Sequence, residues 1–479
     1  MSHGGGGSDA ALRAAARLRP AQLAELEQLV AIPSVSGEPR HRADRRRAAG
    51  WLLARLRALG LRARTLGPPG APLVYGEWPA PRGAPTLLLY GHYDVVAPPP
   101  LSAWHSPPFE PVVRDGHLYG RGSSDDKGPI LCQLTALRAW AQARGRPPVG
   151  VRCLFEGEEE SGSGTLLELL RSPPPWLAAD AVLVCDTRML GPGRPTLIEG
   201  LRGDLAAELV VTCAPRDLHS GAFGGAVRNP AQLLCELVAG LHDAHGRIAI
   251  PGFYARVRPA RARPGAGSPS DRALLAQAGV QTGWGERGYS AYERTTLRPS
   301  LDVSGLVAGH TGRGVKSIVP AQARAKLSLR LVPDQRPDEV ARLLRRHLQA
   351  QAPAGTRVEL ILGKRAPPYA GDAGDWASRA AARALRASFG RDPIVLRSGG
   401  SIPVVGAFAR ALRAPVVLMG FASPDDGMHA ADERFSLDSL ARGTAACVRL
   451  LGELAGGGSR MTAPRAVHRI DRGRIMNST

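Results

Sequence analysis

Residues 86–94 read TLLLYGHYD, and the fold follows from this stretch. Residues 86–90 form a short continuous apolar run, the mark of a strand buried on both faces. Gly91 ends the run, and His92 and Asp94 follow. In extended chain, residues two apart point the same way, so these two side chains can share one face at the strand's carboxyl end. Open α/β sheets place their sites at that end. Residues 151–155 (VRCLF) and 181–185 (AVLVC) have the same buried-strand character, and residues 130–141 between the first two strands have helical periodicity. Strands alternating with helices predict an α/β domain, a mainly parallel sheet flanked by helices.

Upstream, residues 9–30 and 41–60 read as amphipathic helices, with Ser8 or Asp9 as candidate cap after a flexible glycine lead. Downstream, the pattern changes near Gly203. Residues 205–213 (LAAELVVTC) and 323–332 (ARAKLSLRLV) alternate apolar and polar residues, as in sheets with one solvated face. Helical stretches at 231–244 and 338–351 accompany them, and 253–300 is rich in Pro, Gly and Arg and reads as loop-rich. From about Trp376 the helix–strand alternation resumes, through residues 414–419 (APVVLM). This predicts an interrupted first domain, residues 1–202 and 382–455, with an inserted α+β domain at 203–381. Residues 456–479, Gly- and Arg-rich, are expected to be a disordered tail.

The 479 residues carry 62 basic and 42 acidic side chains, a net +20, and all but four of the basic ones are arginine. Such a charge raises the question of nucleic acid or an anionic membrane. Drift of composition toward Arg, Ala, Gly and Pro is the simpler account. Aromatic residues make up only 5%, too few for a stacking platform, and no nucleic-acid motif occurs. No apolar run approaches the ~20 residues needed to cross a bilayer. The six cysteines form no CxxC pair and lie in apolar stretches, as in a reduced protein. The expectation is a cytoplasmic protein with neither nucleic acid nor membrane as partner.

The chemistry gathers at strand ends. A neutral imidazole such as His92 ligates metals, and a carboxylate such as Asp94 can orient it. Alone, the pair fits a hydrogen-bonded loop better than a metal site. Residues 120–128 (GRGSSDDKG) place two adjacent acids, Asp125 and Asp126, in a glycine-rich loop. Adjacent acids are costly unless they are exposed, protonated or holding a cation. Residues 156–162 (EGEEESG) put four glutamates directly after a strand. Two such acids can divide labour, one ligating metal and one taking a proton from water. Asp186 follows residues 181–185, and His429 follows residues 414–419. His92, Asp125, Glu160, Asp186 and His429 suit two divalent ions, Zn²⁺ or Mn²⁺, sharing one bridging carboxylate. Two metals ~3.5–4 Å apart can hold a bridging water and polarise a carbonyl.

These residues belong to a longer ordered series: IPSVSG (32–37), GHYDVV (91–96), GRGSSDDKGP (120–129), EGEEESGS (156–163), CDT (185–187), DLHSGAFGGAVRNP (217–230), KSIVP (316–320), LRLVP (329–333), GGSIP (399–403) and DDGMHAADE (425–433). The series resembles the dinuclear metallopeptidases that include carnosinase, cytosolic non-specific dipeptidase, aminoacylase and glutamate carboxypeptidase. It spans about Ile32 to Leu451. The resemblance implies that His92 and Asp186 hold one metal, Glu160 and His429 the other, and Asp125 bridges them. It implies a cis Asp125–Asp126 peptide, Asp94 as the residue orienting His92, and Glu159 as general base. The family pair directly precedes Ser-Gly, which selects Glu159 and Glu160 over Glu158.

In the inserted domain, His219 matches a histidine that the family lends from a partner subunit to steady the oxyanion. The insertion then resembles a lid and dimerisation domain, and the working unit a homodimer. Arg330 matches a clamp for the substrate carboxylate, and Ser317 and Ser401 match substrate-binding positions. The DLHSG string and the long span from His219 to Arg330 are similar to the dipeptidase branch. The expected function is metal-dependent cleavage of the amide bond of dipeptides or short peptides with a free carboxylate, using a metal-bridging water and Glu159. The alternative is deacylation of N-acyl amino acids at the same site. Nothing in 253–300 names a side-chain preference.

Overall fold

A computed structural model describes residues 5–258 and 267–457. Its main sheet has six strands in the order Arg62–Leu66, Leu73–Trp78, Gly150–Glu156, Thr86–His92, Ala181–Val184 and Val416–Leu418. The last four run parallel. The first two extend the sheet as antiparallel neighbours, so it is mixed at one edge and parallel at the centre.

The apolar run of residues 86–90 is explained by this position. Leu87 and Leu89 enter one core, with helices Gly5–Val30, Gly128–Arg144, Trp376–Phe389 and Leu437–Gly457. Leu88 and Tyr90 point the other way, into a second core with helices Gly164–Arg171 and Pro403–Leu412. Ala181 and Leu183 alternate with Val182 and Val184 between the same two cores. A strand covered on both faces has no place for a polar residue until it leaves the sheet, and that is where His92 stands.

The inserted domain follows the opposite rule. Its antiparallel sheet has the order Ser300–Ala308, Gln322–Leu331, Gly203–Thr212, Arg357–Ala366. Leu205, Leu209, Leu327 and Leu329 face helices Pro230–Ala239 and Pro337–Ala350 in a core of their own. The residues between them, such as Arg324, Lys326 and Arg330, face away from that core, which accounts for the alternation in sequence. Strand Thr196–Leu201 leads into the insertion and pairs with Tyr369–Ala370, which leads out of it. Entry and exit are thus neighbours.

Two boundaries differ from expectation. The return to the first domain, expected at 381/382, falls inside helix Trp376–Phe389. Asp375 caps that helix by accepting from the N–H groups of Ala377 and Ser378 at 2.7 and 2.9 Å. Ala377, Ala380, Ala381 and Leu385 all enter the main core, so we place the return at Asp375. The first helix starts at Gly5, ahead of the candidate caps Ser8 and Asp9. Tertiary packing overrides the glycine lead there: a side chain on Gly452 of the last helix would meet Ser8 Oγ at 2.4 Å. The segment expected to be loop-rich holds only the short helices Asp271–Gln277 and Ala291–Thr296 among its described residues. Ser270 caps the first, and Ser290 with Glu293 forms a capping box on the second. The expected tail lies outside the described residues from 458 onward. Among the described residues no helix is long and apolar enough to cross a membrane.

Candidate active site

Each expected ligand sits just beyond the carboxyl end of a parallel strand or in the loop facing it. His92 closes strand Thr86–His92, Asp186 follows Ala181–Val184, and Glu160 lies in the turn Glu159–Ser161 after Gly150–Glu156. Asp125 lies in the segment Ser123–Lys127 that enters helix Gly128–Arg144. The Asp125–Asp126 peptide is cis. Close approach at this point requires glycine: a Cβ on Gly91 would lie 2.8 Å from Asp126 Oδ2 and 2.6 Å from Ile130 Cγ1.

Asp125 stands between the two imidazoles. Its Oδ1 is 2.9 Å from His92 Nε2 and its Oδ2 is 3.0 Å from His429 Nε2. Glu160 Oε1 is 3.1 Å from the same His429 nitrogen, and Asp186 Oδ2 is 3.9 Å from His92 Nε2. His92, Asp125 and Glu160 offer donor atoms that all lie within 4.8 Å of one another. The five expected ligands therefore converge on one spot.

Asp94 has a double role in the geometry. The nearer partner of His92 Nδ1 is the Asp94 backbone carbonyl at 3.0 Å, with the carboxylate at 3.4 Å. The carboxylate accepts the N–H groups of Glu159 and Glu160 at 3.2 and 3.1 Å. It thereby sets the turn that aims both glutamates.

The electrostatics favour a cation. Burial, and then the neighbouring Asp125, push the Asp186 carboxyl well above its usual range. Burial also lifts Glu159, to about 7; the His92 charge opposes this and Glu160 adds to it. Burial would raise Asp125 too, but hydrogen bonds from His429 and His92 reverse this and hold it below the usual range. Hydrogen bonds to Asp125 and then Glu160 raise His429 to about 10. Several acids in a dry pocket with only two imidazoles repel one another, and divalent ions relieve that repulsion. The donor set of imidazole nitrogens and carboxylate oxygens fits such ions.

The other predicted residues fall into two separate groups. Arg330 Nη1 donates to Ser401 Oγ at 3.0 Å, and Ser401 Oγ donates to the Arg202 carbonyl at 2.6 Å. His219 is exposed, on strand Leu218–His219, which pairs with Ile318–Val319. Its Nδ1 accepts the Gly221 N–H at 3.1 Å, which leaves Nε2 as the ring's remaining donor. Ser317 is exposed beside it, and its carbonyl accepts the Ser220 N–H at 3.0 Å. Among the described residues no hydrogen bond or ion pair joins His219 or Ser317 to the histidine–carboxylate cluster.

Sequence reasoning missed the support beneath the cluster. Glu433, fully buried, accepts from Arg121 Nη1 at 2.6 Å and from the N–H groups of Gly122, Ser124 and Asp125 at 2.8, 3.0 and 3.0 Å. Arg121 also donates to the Ala430 carbonyl, next to His429, at 2.8 Å. One buried ion pair thus ties the loop carrying Asp125 to the loop carrying His429. Asp426 adds a link to Ser124 Oγ at 2.9 Å. Both residues stand in the motif strings, but nothing local marks them as partners.

A model of Peptidase family M20/M25/M40 matches residues 88–453. The chain is 31% identical over 459 residues to the Cys-Gly metallodipeptidase DUG1 of Candida albicans, covering 89% of this chain and 93% of the relative. It is 28% identical over 450 residues to the Beta-Ala-His dipeptidase of Homo sapiens, covering 88% and 87%. Among solved structures, the di-peptidase Dug1p from Saccharomyces cerevisiae matches with a TM-score of 0.81 at 28% identity, over 94% of this chain and 98% of that one. Human carnosine dipeptidase 1 matches with a TM-score of 0.79 at 26% identity, over 94% and 100%. The expected resemblance to the dipeptidase branch is borne out by these relatives. This chain belongs to Peptidase family M20/M25/M40 and is a metal-dependent peptidase.

Proposed function

We propose that the protein hydrolyses the amide bond of dipeptides or short peptides that carry a free carboxylate. The observation that carries this reading is Asp125 held at 2.9 and 3.0 Å between two imidazoles, with Glu160 and Asp186 beside them. His92 and Asp186 would hold one divalent ion, Glu160 and His429 a second, and Asp125 both. Zinc and manganese suit these nitrogen and oxygen donors. When bound, the ions supply Lewis-acid activation of water and of the scissile carbonyl.

The chain's own residues do the rest. Glu159, largely buried and aimed by Asp94, takes the proton of the attacking water and returns it to the leaving amine. Arg330, backed by Ser401, holds the substrate carboxylate. His219 donates to the oxyanion from a partner subunit, with Ser317 alongside it. This division is supported by the exposure of His219 and by its bond to Gly221, which leaves Nε2 to donate. A homodimer is supported by the edge strand Ser300–Ala308, where Val303, Leu306 and Val307 are exposed. The inserted domain then serves as lid and dimerisation surface. A cytoplasmic setting is supported by six free cysteines, four of them buried.

A library of dipeptides, with N-acetyl amino acids in parallel, tests the reading after chelation and resupply of Zn²⁺ or Mn²⁺. Dipeptide cleavage that disappears on chelation and returns with metal is expected. Activity untouched by thorough chelation, or confined to the acetyl amino acids, would refute it.

A further inference from the structure

Arg202 is a buried cation, 9% exposed, that makes no ion pair among the described residues. Its Nε donates to the Gly399 carbonyl at 3.1 Å. Its Nη1 reaches the carbonyls of Arg294 and Arg298 at 3.3 Å and Ser300 Oγ at 3.4 Å. All of these acceptors are neutral. Nη2 makes no hydrogen bond to the described residues.

The Arg202 side chain reaches Ser300, the cross-strand partner of Arg330, and its main chain meets Ser401. The Ser401 hydroxyl donates to the Arg202 carbonyl and accepts from Arg330 Nη1. Among the described residues the carboxylate paired with either guanidinium is Asp204, whose Oδ1 lies 3.8 Å from Arg330 Nη1 and is buried without a hydrogen-bond partner. Asp302, an exposed residue, acts on Arg202 as a charge weaker than that of Arg330. Two guanidinium groups and one loosely placed acid leave this corner short of one negative charge. Burial and then the Arg330 charge lower the Arg202 pKa to about 10, as expected of a cation lacking its counter-ion. An isolated buried charge is costly, so a ligand that supplies the missing anion is favoured there.

We propose that Arg202 is a specificity-determining residue, a second cation that makes the site select substrates ending in a free carboxylate over neutral ones. This rests on the reading of Arg330 and Ser401 as the carboxylate clamp. The ligand class is a peptide α-carboxylate. Arg330 faces it directly, and Arg202, packed against Ser300 beside Arg330, acts by its charge.

The test compares kcat and KM for a cleaved dipeptide and for the same dipeptide as its C-terminal amide. The metal-loaded wild type is set beside Arg202→Met, Arg202→Lys, Arg330→Met and Asp204→Asn. The wild type should favour the carboxylate form. Arg202→Met should cut that preference by about tenfold, mainly through KM, because a buried charge–charge interaction is lost. Arg202→Lys, which keeps the charge but not the fork, should retain most of the preference. Asp204→Asn, which removes the competing acid, should raise it.

A folded, metal-replete Arg202→Met enzyme with the wild-type preference would overturn the proposal. So would a lysine variant as poor as the methionine one. Should Arg202→Met fail to fold, Asp204→Asn decides: an unchanged or smaller preference overturns the proposal. If Arg330→Met abolishes the preference while Arg202→Met and Asp204→Asn leave it intact, the clamp stands and the role of Arg202 falls. If the wild type shows no preference and Arg330→Met changes nothing, the clamp reading itself fails, and this inference with it.

Discussion

Replacing Glu433 by Gln should weaken both the fold and the metal site, although Glu433 touches neither metal nor substrate. The carboxylate is fully buried and receives four donors: the Arg121 guanidinium and three backbone N–H groups. Arg121 is itself buried, and their contact is 2.6 Å. Glutamine keeps the shape but removes the charge, and it puts an NH₂ group where one oxygen accepted. Arg121 is then a buried cation without a counter-ion, and some of the N–H groups of Gly122, Ser124 and Asp125 lose their acceptor. Removing one partner of a buried ion pair costs about 3–5 kcal/mol. That is a large share of the ~5–15 kcal/mol by which native proteins are stable. The Asp125 N–H is one of the groups released, so the bridging carboxylate loses its alignment between His92 and His429. Supports of this kind are worth about 10–100-fold in metal affinity. Urea unfolding of the metal-free protein, with metal binding followed by titration calorimetry, measures both effects. A variant with wild-type stability and wild-type metal affinity would refute the reasoning.

Glu159→Gln should lower kcat by about 10²–10⁴-fold, the usual worth of a general base, while metal content by elemental analysis stays at the wild-type level; near-normal turnover would remove Glu159 from the base role. His219→Ala should lose about 10²–10³-fold in kcat, as for an oxyanion donor. Mixing it with inactive Asp125→Ala should restore part of the activity once mass spectrometry shows subunit exchange, and no recovery would count against a shared site. Glu156 is buried with its carboxyl pushed up to about 8, chiefly by desolvation, against 4.5 for the free side chain. The folded state therefore binds more protons than the unfolded chain between those values. The stability that Glu156 contributes is complete below pH 4.5 and is lost as pH rises through about 8. Glu156→Gln should flatten that part of the stability profile, and an unchanged profile by urea unfolding at several pH values would contradict it.

Much of this protein was legible before any coordinates. The run at residues 86–90 announced a strand with two buried faces, and Leu87, Leu88, Leu89 and Tyr90 do alternate between two cores. The alternation in residues 323–332 announced a one-sided sheet, with Leu327 and Leu329 inside and Lys326 outside. Both readings work because side-chain periodicity is a local property of the backbone. The boundary at 381/382 was not legible, because the capping by Asp375 and the packing of Ala377 and Ala380 decide where that helix begins and which core it joins.

The sequence by itself singled out the residues that we propose carry the chemistry. Acids and imidazoles that are costly in a dry interior stand where buried strands end, and few arrangements tolerate them there. Only the tertiary structure decided how they are held. Glu433 meets Arg121 across 312 positions of chain, and Ser401 meets Arg202 across 199. No spacing rule reaches so far, because these pairs arise from the packing of loops at the carboxyl edge of a sheet and at the mouth of an inserted domain. The same holds for Arg202. In the sequence it is one of 58 arginines; in the fold it is buried against Ser300 beside Arg330 and makes no ion pair among the described residues.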